Sequence, residues 1–186
     1  SGQERLLLRL GAGADVLDPE NTLLLKAIAM ALEDSFPLAS PARIDPLRTA
    51  VIYTRASELA CAVLRRLAPE ETCPAARDDN NARIEAALNT ITAVRLDLSL
   101  HGSPLSAALD AARRLLAEGS VDRVVIAGAA LRSSLDPLVQ KAGIKLDPVP
   151  PRFGFDARAD GWIFGQGAAA ICLMHAGRAR DQKVRI

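Results

Sequence analysis

The clearest structural signal lies between Thr92 and Gly128, which read TAVRLDLSL-HGS-PLSAALDAARRLLAEGS-VDRVVIAG. Apolar and polar side chains alternate over residues 92–100, which predicts a β-strand with one polar face. A helix is predicted from Pro104, since proline is favoured in a first turn, and Gly119 ends it. Residues 121–128 are almost continuously apolar, as in a strand that is buried on both faces. This strand–helix–strand order predicts two parallel strands joined by a helical crossover.

The flanking sequence extends the same alternation of strands and helices. A helix is expected from Asp18 or Asn21, either of which can cap it, to Leu32. The remaining predicted elements are a buried strand at 49–54, a helix at 57–67 and a final strand region at 161–174. Residues 5–10 are either a first strand or an irregular lead-in. The pattern predicts a single α/β domain over residues 1–186, with a mainly parallel sheet and helices on its faces.

The helix after Pro104 has a periodic apolar pattern that predicts its buried face. The residues recur at helical spacing and are expected to pack on the sheet. They are Leu105, Ala108, Leu109, Ala112, Leu115 and Leu116.

Composition excludes several classes of protein. The chain has 186 residues, of which 49% are hydrophobic and 24% charged, which is enough apolar sequence to build a core. Its 23 basic and 22 acidic residues give a net charge of +1. A nucleic-acid partner is not expected, because there is no basic stripe. No apolar run approaches a membrane span, and no signal peptide is recognisable, so we expect no membrane association and a cytoplasmic location.

The cysteines and histidines give no pattern of a metal site. The three cysteines, Cys61, Cys73 and Cys172, contain no C-x-x-C pair, and the chain has two histidines. We predict reduced thiols rather than a disulfide framework, with Cys61 and Cys172 acting as small hydrophobic residues. Neither a metal nor a cofactor is expected.

Two segments resemble a known family. Residues 152–170 read RFGFDARADGWIFGQGAAA, which is similar to the R-P-F-D-x-x-R-D-G-F-x-x-G-E-G-A stretch of β-ketoacyl synthases. Residues 116–129 read LAEGSVDRVVIAGA, which resembles their helix–strand unit L-x-x-G-x-x-D-x-x-x-A-G-G. These are the condensing enzymes of fatty-acid and polyketide synthesis. The resemblance implies a thiolase-like half domain with a mainly parallel sheet of about five strands.

The resemblance also locates a candidate site. The family carries a nucleophilic cysteine between a strand and a helix, where the helix N-terminus lowers the pKa of the thiol. Aligning Ser103 with the serine of that motif puts His101 at the cysteine position. The candidate substrate-binding residues are then Gly102, Ser103, Phe164 and Gly165. Imidazole cannot hold a stable acyl thioester, so the usual transfer step is not expected here.

The roles of His101 and Ser103 remain open. His101 could act as a base or promote decarboxylation, or it could be a polar residue tolerated in an inactive site. Ser103 could be a hydrolase nucleophile, but its surroundings do not match G-x-S-x-G, and it could simply cap the helix at Pro104.

Members of the resembled family are roughly twice as long, and their second half carries two histidines and a lysine. We therefore expect a catalytically silent ketosynthase-like protein that acts with a condensing enzyme or an acyl carrier protein in fatty-acid or polyketide-type biosynthesis. The alternatives are a divergent acyl-thioester decarboxylase or acyltransferase that uses His101, and an acyl-thioester binding module. The strand at 92–100 is expected to pair with itself or with a related chain, which gives a homo- or hetero-oligomer.

Overall fold

The computed structural model describes residues 19–35, 48–69, 84, 86, 88, 92–95, 104–146, 161, 165–182 and 184. In chain order the elements are α1 (Pro19–Asp34), β1 (Thr49–Arg55), α2 (Ala56–Leu67), β2 (Thr92–Arg95), α3 (Pro104–Ala117), β3 (Arg123–Ala130), α4 (Arg132–Lys141), β4 (Gly167–Met174) and α5 (Ala176–Asp181). The predicted strands at 49–54, 121–128 and 161–174 are confirmed to within a few residues, apart from the late start of the last.

The described sheet has four strands in the order β2-β1-β3-β4. β1 pairs in parallel with β2 and with β3, and β4 pairs antiparallel to β3. The mainly parallel α/β sheet is thus confirmed, and its antiparallel strand lies at one edge. The segment at 5–10, which would supply a fifth strand, lies outside the described residues.

Two apolar cores cover the two faces of this sheet. The α1-side core joins α1 to Val51, Tyr53, Val125 and Ala127 of the central strands, and it includes the helical residues Ile84 and Leu88. The α3-side core joins α3 to Ala50, Ile52, Val124 and Ile126. Because side chains alternate along a strand, adjacent residues of β1 and β3 enter opposite cores. Burial on both faces explains why these strands are continuously apolar.

The start of α1 agrees with the Asp18 alternative and excludes the Asn21 alternative, although Asp18 itself lies outside the described residues. The helix begins at Pro19, so Asn21 lies within its first turn and cannot be the capping residue. Asn21 is instead fully buried, and its Oδ1 accepts a hydrogen bond of 3.0 Å from Nη1 of Arg55. The Asn21 side chain, which the sequence offered as one of two possible caps, is thus used in a tertiary hydrogen bond to Arg55.

The packing of α3 confirms half of its predicted face. Ala108, Ala112 and Leu116 are buried against the sheet. Leu105 and Leu109 are 58% and 41% exposed, so their predicted burial is wrong for this chain alone. The helix ends as predicted: Gly119 adopts a φ of +68°, a conformation that glycine accepts at little cost.

Helices α4 and α5 were not predicted. α4 contains Pro137 in its second turn, and a proline inside a helical segment weakens the sequence pattern of a helix. It packs against α2. α5 is only six residues long, too short for a periodic pattern. None of the described helices has the length and hydropathy needed to cross a membrane.

Charged groups join three segments at the end of the sheet where β1 and β3 begin. Arg48 donates to Asp122 Oδ1 over 2.5 Å and to the Gly119 carbonyl over 3.1 Å. Arg178 of α5 pairs with the other oxygen of Asp122. The hydrogen bond from Arg48 lowers the pKa of the Asp122 carboxyl below its ordinary 3.8. Burial opposes this shift in part, and the ion pair with Arg178 adds to it.

Replacing Asp122 by asparagine should therefore destabilise the protein modestly. Both arginines are partly solvated, so we expect a loss of about 0.5–1 kcal/mol, or about 1–4 °C in Tm. Because the folded-state pKa is depressed, this stabilisation is present at neutral pH and is lost as the pH falls through the folded pKa. Thermal unfolding of both proteins from pH 7 down to acid should show the difference shrinking once the pH falls below the ordinary carboxyl value of 3.8. The exposed Asp110 of α3 provides the control Asp110→Asn, and equal effects of the two substitutions would contradict this role of Asp122.

Candidate functional site

A crevice of about 510 Å³ opens at the carboxyl ends of β1 and β3. Its walls come from the end of β1 and the start of α2, the end of β3, and the first residues of β4. The lining residues are Thr54, Arg55, Ala56, Leu59, Gly128, Ala129, Ala130, Gly167, Ala168 and Ala169. We call this space the carboxyl-end crevice. Its size is within the range of small-molecule sites, and its lining is almost entirely apolar and small.

The strand connections explain why a crevice forms at this place. The chain leaves β1 towards β2 on one side, whereas it leaves β3 towards β4 on the other. The two connections therefore diverge and leave the space above the neighbouring strand ends uncovered. Open α/β sheets bind ligands at such switch points, outside the carboxyl ends of their strands. The carboxyl-end crevice is thus the candidate site of this fold.

Small side chains give the crevice its depth. Gly128 of β3 is next to Thr54 of β1 in the sheet, and both lie on the α3 side. A Cβ atom added at Gly128 would lie 3.4 Å from Cγ2 of Thr54, which is ordinary contact. On β4, Ala169 pairs with Gly128 and is exposed. A larger residue at either position would fill the crevice without entering a core.

Among the described residues that line the crevice, Arg55 is the charged one. Arg55 is only 2% exposed, and its guanidinium bonds Asn21 of α1 through Nη1 and Glu58 of α2 through Nη2. The Glu58 partner is 11% exposed, so the pair is largely shielded from water. A buried arginine is tolerated where a carboxylate and hydrogen bonds compensate its charge. Arg55 therefore adds a fixed polar wall to an otherwise apolar space.

A second cavity of about 380 Å³ lies between the end of α1, β4 and α5. Cys172 and Ser35 line it, together with small apolar residues. Burial raises the pKa of the Cys172 thiol, and nearby Ser35 and Arg123 oppose the shift only in part. Cys172 is thus a neutral thiol rather than a thiolate nucleophile, which agrees with its predicted role as a small hydrophobic residue.

The prediction for Cys61 is wrong. Cys61 lies buried on α2, as expected of a small hydrophobic residue, but it is disulfide-bonded rather than reduced. The odd number of cysteines and the absence of C-x-x-C spacing gave no indication of this bond. Cys73 lies outside the described residues.

Most of the site residues predicted from the sequence lie outside the described residues: His101, Gly102, Ser103 and Phe164. Gly165 is described and is exposed, two residues before β4 begins. The site residues predicted from the sequence do not include Thr54, Arg55, Gly128 or Ala169. The sequence did contain a usable signal: small residues lie at or just after the ends of the buried strands β1 and β3. Because the carboxyl ends of parallel strands meet at one edge of a sheet, such residues indicate a space there. Within the described ranges, no group of three or more His, Cys, Asp or Glu residues could hold a metal ion.

Apolar side chains are uncovered on the α3 side of the sheet. Leu105 and Leu109 stand one turn apart on the outer face of α3. Ile171 of β4 is 46% exposed and pairs with Ile126, a member of the α3-side core, so it lies on the same side. We call these three residues the α3-side surface. Exposed large apolar side chains mark a contact with another protein or chain where they form a continuous patch.

Solved structures with the same fold are ketosynthases. A β-ketoacyl synthase from Burkholderia phymatum matches with a TM-score of 0.61 and 17% identity over 91% of this chain and 45% of its own. An oxazolomycin ketosynthase domain from Streptomyces albus gives 0.59 and 19% over 93% and 30%. A ketosynthase of a type II polyketide synthase, in complex with its acyl carrier protein and bound to the hexaketide, gives 0.57 and 20% over 92% and 48%.

No protein-family model and no curated protein matches the sequence. The chain spans between 30 and 48% of the length of these three structures. At this identity the comparison establishes the fold, and it agrees with the half domain that the sequence predicted. The chain therefore has the fold of part of a ketosynthase, with the carboxyl-end crevice as its candidate site.

Proposed function

We propose that this chain is a ketosynthase-like protein that lacks the cysteine-dependent transfer step. It acts with a condensing enzyme or an acyl carrier protein in fatty-acid or polyketide-type biosynthesis in the cytoplasm. The observation that carries the proposal is the ketosynthase fold over nine-tenths of the chain, combined with a sequence that has histidine where the family's cysteine is expected. One structural neighbour is itself a ketosynthase in complex with a carrier protein.

The described cysteines support the absence of that transfer step. A cysteine nucleophile needs a thiolate near a positive charge or a helix N-terminus. Cys61 is held in a disulfide, and burial keeps Cys172 protonated. Neither can accept an acyl group as it stands.

Two features support a protein partner. The α3-side surface leaves Leu105, Leu109 and Ile171 uncovered. Within the described part of the chain, β2 pairs with β1 alone and forms one edge of the sheet. We propose that an edge strand over residues 92–100 pairs with itself or with a related chain, and that a condensing-enzyme chain covers the α3-side surface.

The carboxyl-end crevice favours a second candidate function, that of an acyl-thioester binding module. Small apolar residues line a space of about 510 Å³, which suits a hydrocarbon chain better than a polar metabolite. The two functions are compatible, because a silent partner of a condensing enzyme can hold the acyl chain that its partner extends.

The partner proposal predicts co-purification with the condensing enzymes or carrier proteins of the source organism. The double variant Leu105→Ser/Leu109→Ser should reduce recovery of a condensing enzyme at least tenfold, because it removes two apolar side chains from the proposed contact. Leu67→Ser is the matched control, since Leu67 is 55% exposed on α2, away from this surface. Identification by mass spectrometry, followed by reconstitution with the purified partner, measures the effect. Failure to recover either class under mild conditions would contradict the proposal.

A third candidate function is that of a decarboxylase or acyltransferase in which His101 is the catalytic residue. The residues around the substrate would then be Gly102, Ser103, Phe164 and Gly165. It predicts an acyl adduct or thioester consumption with malonyl-CoA or medium-chain acyl-CoA that His101→Ala abolishes. Intact-protein mass spectrometry with Ser103→Ala as the control measures it. Turnover that survives in His101→Ala would exclude this mechanism, and a complete lack of turnover favours the silent partner.

A further inference from the structure

We infer that the Arg55 side chain sets the length of the acyl chain that the carboxyl-end crevice can hold. The inference rests on the proposed acyl-binding role of the crevice. It concerns the length of the acyl ligand that fits in the crevice, whereas the acyl-binding function itself is proposed above. Arg55 would then determine specificity without taking part in any chemical step.

The direction of the Arg55 side chain places it as a wall. Val51 and Tyr53 enter the α1-side core, and Arg55 follows them at the next alternate position of β1. Its guanidinium accordingly reaches Asn21 in the first turn of α1. Arg55 is also among the residues that line the crevice, so one residue joins the crevice to the contact with α1. We therefore place its side chain at the α1-side limit of the crevice.

The residues next to this wall belong to the core. Ala129 and Ala168 line the crevice beside Arg55, and both pack in the α1-side core. A chain that enters between the strand ends therefore meets small apolar side chains first and the guanidinium at the α1 side. Truncation of Arg55 would add the volume of its own side chain, which extends as far as Asn21, to the crevice.

The wall is held from two helices, so it is fixed rather than flexible. Asn21 of α1 accepts from Nη1, and Glu58 of α2 accepts from Nη2. Moving the side chain aside would break both bonds and separate a largely buried ion pair, which is costly. Only ligands that end before the guanidinium avoid this cost.

The test is a series of straight-chain acyl-pantetheines, each two carbons longer than the last, bound to the protein and measured by calorimetry. Each buried methylene should tighten Kd about fourfold. In the wild-type protein the gain should stop at one length, because further carbons reach Arg55. In Arg55→Ala the gain should continue over at least the next two members of the series. Arg55→Met keeps an unbranched side chain that is shorter and uncharged, so the gain should stop between the wild-type length and that of Arg55→Ala.

Two further variants serve as controls for the loss of the ion pair and for the removal of an arginine elsewhere. Arg55→Ala/Glu58→Ala removes both partners of the ion pair, so it tests the wall without leaving a shielded carboxylate unpaired. Arg66→Ala removes an exposed arginine of the same helix region and should leave the length limit unchanged. If folded Arg55→Ala and the double variant stop at the wild-type length, the role of Arg55 is refuted while acyl binding stands. If the wild-type protein binds no member of the series, the acyl-binding function fails, and this inference fails with it.

Discussion

Strand β3 hydrogen-bonds to β1 along one edge and to β4 along the other, while its alternate side chains enter a core on each face of the sheet. A strand in this position must be apolar over its whole length, because neither face meets water. The segment from Val124 to Ala127 meets that requirement, and the adjacent Arg123 is kept partnered by Ser35 and Gln182. The two helices α1 and α3 can cover the sheet only because β3 offers each of them an apolar row.

The two ends of the sheet differ in the contacts that surround them. At the end where β1 and β3 begin, Asp122 joins two arginines from separate segments, and His175 Nε2 donates to the Leu116 carbonyl over 2.9 Å. These contacts close that end with polar bonds. At the opposite end the connections diverge, the side chains become small, and a crevice remains. Polar contacts thus join the segments at one end, and an accessible volume remains at the other, where open α/β sheets bind their ligands.

The sequence predicted those elements whose pattern is local and strong. The strands at 49–54 and 121–128 and the helix from Pro104 follow from apolar runs and from proline and glycine at the helix ends. The errors arise where tertiary contacts decide: Asn21 bonds a buried arginine instead of capping α1, and Leu105 remains exposed although its spacing is that of a core residue. The crevice could not be found from one segment, because its walls come from three strands. Arg55 in particular has the sequence position of an ordinary residue at the end of a strand. Its burial depends on partners from α1 and α2, which the sequence pattern does not indicate.

Both the acyl-binding function and the role of Arg55 require that the carboxyl-end crevice binds an acyl chain. We would measure amide chemical shifts by NMR during titration with a medium-chain acyl-pantetheine. We expect the largest saturable shifts at Thr54, Gly128 and Ala169, with little change at Asp122 on the opposite end of the sheet. Saturable shifts centred on the opposite end, or none at any concentration with the protein folded, would contradict acyl binding in the crevice.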